Sequence, residues 1–388
     1  MASEKIPEGG MELEGRARVI WDSSVRCADL RYVAALWAAD PVVWIDLDGR
    51  THLLVRDLEV ERAGREARVD EVVPLAGLDE AAEAADAPKA VRGPVAFLLR
   101  AGARRVELHP DTPAWIVEAL RKTPLDVAVG AAPFFPERSV KTEEEVRAIA
   151  TSEAAAERAV GLVEQMLWDA RRDRGALTLA GEPLTSERVR REVETVLFAE
   201  GFLLERTIVS SGRASAVPHD VGSGPLSADV PIVVDVFPRS LSTGYYGDIT
   251  RTFVKGTPSQ GVLRMYGAIR AAQEAALAAL RPGVLLRDVH SAAQDLLASH
   301  GFENRVEPGR AEGFIHGTGH GVGLEIHEPP QIGRIEGDAR LEAGNVVTVE
   351  PGLYYHDEGG VRLEDLVVVT SEGHRRISTL PRDLVVIP

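Results

Sequence analysis

Beyond residue 138 a pattern of two helices followed by strands occurs twice in this 388-residue chain. In the first occurrence, Thr142-Glu143-Glu144-Glu145 opens a helix with a capping-box pattern. Alanines and spaced apolar residues carry that helix to about Asp173. A second helix spans 186–200 and closes with Gly201-Phe202, and strands follow to about residue 254. In the second occurrence a helix follows Thr257-Pro258 to about Arg281. Another spans 286–300 and closes with Gly301-Phe302, and strands run to about residue 370. The two lie roughly 100 residues apart. The pattern is either a coincidence of an α+β chain or an internal duplication, with two helix-helix-sheet halves facing each other. Under the second reading a site between the halves is expected.

The part ahead of this pattern has a different composition. Residues 31–60 read as strands joined by a turn: Val42-Val43-Trp44-Ile45-Asp46-Leu47 meets Asp48-Gly49, and His52-Leu53-Leu54-Val55 returns. Val95-Ala96-Phe97-Leu98-Leu99 reads as a second apolar run, followed by Val106-Glu107-Leu108. Helical patterns surround these runs, as at Thr112 to Leu120, so a small α/β domain is expected. Pro133 and Pro136 bracket Phe134-Phe135 and mark a linker. The boundary is placed near 138, giving domains 1–138 and 139–388.

The chain has 44 Lys+Arg against 60 Asp+Glu, a formal net charge of −16. That balance argues against a general binder of phosphate backbones, and no nucleic-acid partner is expected. Cys27 is the single cysteine, which excludes an intramolecular disulfide and a zinc site built on thiolates. Any metal site must therefore use carboxylate and imidazole. The N-terminal MASEKIPEGG lacks the basic-then-apolar pattern of a signal peptide, and no run approaches membrane-spanning length. A cytoplasmic location and no membrane association are expected.

Polar residues recur in the strands of the second part. Asp235 ends Ile232-Val233-Val234, and Asp248 lies in Gly247-Asp248-Ile249-Thr250-Arg251-Thr252. His320 and His327 flank Gly321-Val322-Gly323-Leu324-Glu325-Ile326. Glu350 ends Val346-Val347-Thr348-Val349, and Glu364 follows Arg362-Leu363 just before Leu366-Val367-Val368-Val369. A carboxylate in an apolar strand is costly unless it is paired or ligates a metal. Strand alternation places Asp248, Thr250 and Thr252 on one face, and Arg362 with Glu364 on one face. If these faces converge, four negative charges share a pocket, and two divalent ions would compensate them. Hard oxygen ligands plus one imidazole suit Mn²⁺, Co²⁺, Fe²⁺ or Zn²⁺. Acids scattered over a solvated surface remain the alternative in so acidic a chain.

Other motifs fail. The glycine-rich stretch at 317–323 has Val322 where a dinucleotide fingerprint needs glycine, and neither a nucleophile-elbow nor a Walker pattern occurs. His327-Glu328 is followed by Gln331 where a zincin helix has histidine. The glycines around His320 are expected to permit close backbone approach within a sheet.

The segments HGTGHGVGLEIHEPP (316–330), TVEPGLYY (348–355), GGVRLED (359–365) and GYYGDITRTF (244–253) resemble the pita-bread metallopeptidase family. That family includes Xaa-Pro dipeptidase (prolidase), aminopeptidase P, methionine aminopeptidase and creatinase. The resemblance covers roughly residues 140–385, and the part before it is more loosely similar to the creatinase-type N-terminal domain. It implies an α+β chain: a C-terminal pita-bread fold of duplicated helix-helix-antiparallel sheet halves, with a smaller N-terminal α/β domain.

The resemblance also implies metal ligands Asp235, Asp248, His320, Glu350 and Glu364. Asp248 and Glu364 would bridge two divalent ions, with manganese favoured. Asp235 would hold one ion, and His320 with Glu350 the other. Glu350 matches the general-base position, His219 a histidine near the substrate, and His327 one that stabilises the tetrahedral intermediate or binds the scissile amide. Arg362 and Tyr354 match supporting positions. His316 is open between a structural and a direct role. His290, His356 and His374 match none and are read as surface residues. Twelve residues separate Asp235 from Asp248, a longer spacer than the family usually has, and the extra loop is expected to overhang the substrate pocket.

The implied activity is metal-dependent hydrolysis of Xaa-Pro peptide bonds by an Xaa-Pro dipeptidase, in a homodimer, on a small peptide with proline second. The alternatives are an aminopeptidase P acting on longer peptides and a same-fold hydrolase or lyase of a small non-peptide metabolite. A non-catalytic binding module is disfavoured because all five ligand positions are filled.

Overall fold

The computed structural model describes residues 15–80, 84–334 and 337–388. The N-terminal decapeptide read above for a targeting pattern lies outside them. The chain divides into two compact units between Pro136 and Glu137.

The first unit is built on a six-stranded mixed sheet. Its order is Glu71–Pro74, Arg50–Val55, Val42–Leu47, Arg16–Asp22, Arg105–Leu108, Asp126–Val129. The hairpin expected at Asp48-Gly49 is present, with Leu47 paired to Arg50. Both turn residues have positive φ, 51° at Asp48 and 86° at Gly49, and Asp-Gly supplies that geometry at low cost. Helices α1 (Ala28–Ala34), α2 (Val60–Glu66), α3 (Arg92–Arg100) and α4 (Ala114–Leu120) pack beside the sheet.

Two readings of this region need correction. Residues 31–34 end α1 instead of opening a strand. Val95–Leu99, taken as an apolar run beside strands, lies within α3. Val95, Ala96 and Leu98 are all buried, and a short continuous apolar run does not distinguish a buried helix from a buried strand. Cys27 caps α1 through its sulfur, which accepts from the Leu30 amide, and burial pushes the thiol up to about 12.

The second unit carries the doubled pattern. Helix α5 (Glu143–Asp169) and helix α6 (Ser186–Ala199) pack on a four-stranded sheet. Its order is Ile208–Ser211, Pro231–Val236, Ile249–Lys255, Val385–Ile387. Helix α7 (Gln260–Ala279) and helix α8 (Leu286–Ser299) pack on a five-stranded sheet. That order is Glu328–Ile332, Gly319–Gly321, Val346–Val349, Asp365–Val369, His374–Arg376.

Thr142 and Glu145 form the capping box that opens α5, satisfying two amides of the first turn. The helix stops at Asp169, short of Asp173, because Arg171–Asp173 turns into a small three-stranded sheet. Its buried face, Val146, Ile149, Glu153, Ala156, Val160 and Val163, follows the helical repeat. The first turns of α5 also pack on Val346, Leu366 and Val368 of the five-stranded sheet, so one helix contributes to both halves. The C-terminal strand Val385–Ile387 returns to pair in parallel with Phe253–Lys255 of the first sheet.

Candidate metal centre

The two sheets present their polar residues to one cavity of about 510 Å³. Asp235, Asp248, His320, Glu350 and Glu364 all line it, as do His219, His316, His327 and Arg362. Asp235 and Asp248 come from the first half. His320, Glu350 and Glu364 come from the second.

Register brings the acids together. Pro231–Val236 and Ile249–Lys255 are antiparallel neighbours with Asp235 opposite Thr250. The Thr250 hydroxyl donates to Glu364 Oε2 at 2.7 Å, and the Glu364 amide donates to the Thr250 carbonyl at 3.2 Å. This joins the end of one half to the other. Glu350 is set by its amide, which donates to the Thr318 carbonyl at 2.8 Å.

The glycines flanking His320 do what close sheet packing requires. A Cβ on Gly319 would lie 1.9 Å from the Thr348 carbonyl oxygen, and one on Gly321 would lie 2.3 Å from that of Pro329. The strand bearing His320 is therefore pressed against its neighbours.

Ligand atoms of Asp248, His320 and Glu364 lie within 4.8 Å of one another. His320 Nε2 is 3.6 Å from Asp248 Oδ2 and 3.3 Å from Glu350 Oε1. Its Nδ1 is 3.2 Å from the Gly321 carbonyl, which places the ring proton there and turns Nε2 into the cavity as a lone pair. Burial lowers the His320 pKa and so favours that neutral form.

The carboxylates are poised to receive cations. Burial pushes the Asp248 carboxyl well above its ordinary range, and the charges of Glu364, Asp235 and Glu350 push the same way. Burial likewise raises Glu364, with Glu350 and Asp235 adding to it, while the Thr250 hydrogen bond opposes. Glu350 is raised by burial, against the pull of His316 and Arg362. Asp235 Oδ2 accepts from Arg362 Nη2 at 2.5 Å, but its buried Oδ1 has no hydrogen-bond partner. Such an orphaned acceptor is costly unless something positive satisfies it. The donor set, hard oxygens with one neutral imidazole, fits a divalent cation.

The sequence matches the profile of Metallopeptidase family M24 over residues 146–371. The chain belongs to this metallopeptidase family. A probable dipeptidase PepE of Mycobacterium tuberculosis is 34% identical over 278 residues, covering 70% of this chain and 68% of that one. An Xaa-Pro dipeptidase of Pyrococcus furiosus is 33% identical over 251 residues, covering 64% and 65%. The solved Xaa-Pro dipeptidase from Bacillus anthracis superposes with a TM-score of 0.78 at 26% identity, over 96% of this chain and 95% of that one. The chain therefore has the prolidase-type pita-bread fold with a separate N-terminal domain, and the M24 family uses divalent metal.

In this M24 metallopeptidase several supporting residues escaped the sequence reading. Glu153 is fully buried. It accepts from the Asp248 amide at 2.9 Å and from the Ser378 hydroxyl, and burial pushes its carboxyl up to about 8. Its place in the apolar repeat of α5 was the signal that could have found it. His290, read as a surface residue, is buried, with Nδ1 2.8 Å from the Thr318 hydroxyl. Thr318 is the residue whose carbonyl receives the Glu350 amide, so His290 braces that segment. Nothing in an isolated histidine on an amphipathic helix announces such a partner.

His316 lies in the cavity with Nε2 2.9 Å from the Tyr354 hydroxyl. Arg362 is spent on this metallopeptidase's own groups. Nε donates to Thr250 Oγ1 at 3.1 Å, Nη1 to the Tyr354 hydroxyl at 2.9 Å and Nη2 to Asp235. The lengthened 236–247 loop is mostly turned elsewhere. Phe237 lines the cavity, whereas Leu241, Ser242 and Thr243 line a separate depression with Arg158 and Glu200.

Proposed function

We propose that this metallopeptidase is an Xaa-Pro dipeptidase whose two divalent cations are held by Asp235, Asp248, His320, Glu350 and Glu364. The observation that carries the reading is the convergence of four acids and a neutral imidazole on one cavity, with an unsatisfied carboxylate oxygen among them. Relatives named as Xaa-Pro dipeptidases support the substrate class. Asp248 and Glu364, each pushed up by burial and by neighbouring acids, would be shared between the cations. Manganese is the favoured metal, since oxygen-rich sites suit it.

Divalent cations held by these residues would supply Lewis acidity to the attacking water and the substrate carbonyl. Glu350 Oε takes the proton of the attacking water and returns it to the leaving proline nitrogen. His327 packs edge-on against His320 with ring centroids 4.3 Å apart, and its role in this reading is to hydrogen-bond the developing oxyanion. His219 lines the same cavity and orients the substrate. Arg362 holds Asp235 and Tyr354 in place.

The test is a panel of Xaa-Pro dipeptides and Xaa-Pro-Xaa tripeptides assayed with Mn²⁺, Co²⁺, Zn²⁺ and Fe²⁺. Dipeptide cleavage dependent on added metal is the expected result. Cleavage of tripeptides alone would make the protein an aminopeptidase P. No cleavage of any member, with two metals bound per chain, would move it to a non-peptide substrate.

A further inference from the structure

We propose that Arg206 anchors the C-terminal carboxylate of the substrate and thereby selects dipeptides over longer peptides, an inference that rests on the Xaa-Pro dipeptidase reading. Arg206 and Arg362 are the cationic side chains lining the cavity. The guanidinium of Arg362 is fully committed to Thr250, Tyr354 and Asp235. Arg206, by contrast, is exposed, and among the described residues no carboxylate lies within ion-pair distance of it. Its neighbour Glu205 faces Arg239 at 3.9 Å instead.

The segment leading into the first sheet puts Arg206 on the wall of the candidate site. Ile208, which lines the cavity, is paired with Asp235 across the sheet. Arg206 lies two residues upstream of Ile208, in the segment that leads into that strand, and both residues line the cavity. At roughly 3.3–3.6 Å per residue at most, its Cα stands within about 7 Å of that of Ile208. Phe237, just past the end of the partner strand, lines the same cavity. An arginine side chain spans such a distance, and its planar fork matches a carboxylate in two parallel hydrogen bonds.

The chemistry of length selection follows. In the dipeptidase reading the scissile carbonyl would sit beside the acids that hold the cations. In a dipeptide the next carbonyl group is a free carboxylate, whereas in a longer peptide it is an amide. The remaining wall is rich in acids, so an anionic substrate end needs a cation of its own. Arg206 supplies it, and a neutral amide gains little from the same group.

The experiment compares the wild-type, Mn²⁺-loaded enzyme with R206Q and R206K on an Xaa-Pro dipeptide and on its C-terminal amide. Equilibrium binding of a non-hydrolysable dipeptide analogue provides a second readout. The wild type is expected to favour the free acid. In R206Q the KM for the acid rises roughly ten- to a hundredfold, kcat falls far less, and the acid-over-amide preference collapses. R206K restores part of that preference, and analogue affinity falls in parallel with KM. An R206Q enzyme that keeps the wild-type acid-over-amide ratio and analogue affinity would overturn the assignment. A wild type that cleaves neither substrate would instead remove the dipeptidase reading on which it rests.

Discussion

At Asp248 three costs meet: burial, three neighbouring acids lining the same cavity, and the Glu153 carboxylate on its own amide. Asp248, Glu364 and Glu153 each have a folded pKa above the unfolded value. Between those two values the folded chain holds more protons than the unfolded chain, so metal-free stability falls as pH rises. For Glu153 that window runs from 4.5 to about 8. With chelator present, the urea midpoint should therefore be higher near pH 6 than near pH 8. With Mn²⁺ present the slope should reverse, because protons compete for the ligands. A metal-free midpoint that climbs with pH would contradict the site's electrostatics. Arg362 makes a second prediction. R362M leaves Asp235 buried without its ion partner, a change that typically costs about 3–5 kcal/mol. The loss should appear in the metal-free urea midpoint, and kcat/KM of the loaded enzyme should fall roughly a hundredfold or more. Asp235 and Glu350 stood out in the sequence because each ends a β-branched run, where a carboxylate has few cheap explanations, whereas Asp248 and Glu364 only adjoin such runs and rested more on the family resemblance. Glu153 and His290 did not stand out, because each is defined by a partner far away in sequence.

Secondary-structure elements fix where those side chains point, and two substitutions probe them. T142A removes the hydroxyl half of the α5 capping box, the acceptor of the Glu145 amide, while the backbone amide of residue 142 can still donate to Glu145; stability should fall by about 1 kcal/mol in urea unfolding, with metal affinity little changed. G319A is the sharper test. Its methyl would meet the Thr348 carbonyl oxygen at 1.9 Å, so the strand bearing His320 must move off Val346–Val349. Metal affinity by calorimetric titration should drop severalfold or more, and a variant with unaltered affinity would show that the strand has slack. Helices α5 to α8 were readable because caps and apolar repeats act within a few residues of one another. Val95–Leu99 misled because burial on all sides erases periodicity. The destination of the 236–247 loop also lay beyond the sequence, since only packing decides which wall a loop meets.

Over the whole molecule, the duplicated pattern is the feature that builds the cavity, since each half supplies acids that line it. Separate apolar cores serve the two units. Scanning calorimetry should therefore show one part of the heat absorption that moves upward with Mn²⁺ and another that does not. Uniform movement of the whole profile would mean that the units unfold together. The division of ligands between halves also has a consequence during synthesis. Asp235 and Asp248 are translated well before Glu364, which follows Asp248 by 364 − 248 = 116 residues. At cellular elongation rates that is on the order of ten seconds. Throughout that interval the nascent chain carries two acids meant for a core whose other wall does not yet exist. The last sheet strand, Val385–Ile387, arrives later still to pair with Phe253–Lys255. On the proposed ligand set, the cation site is therefore complete only once nearly the whole chain has been made.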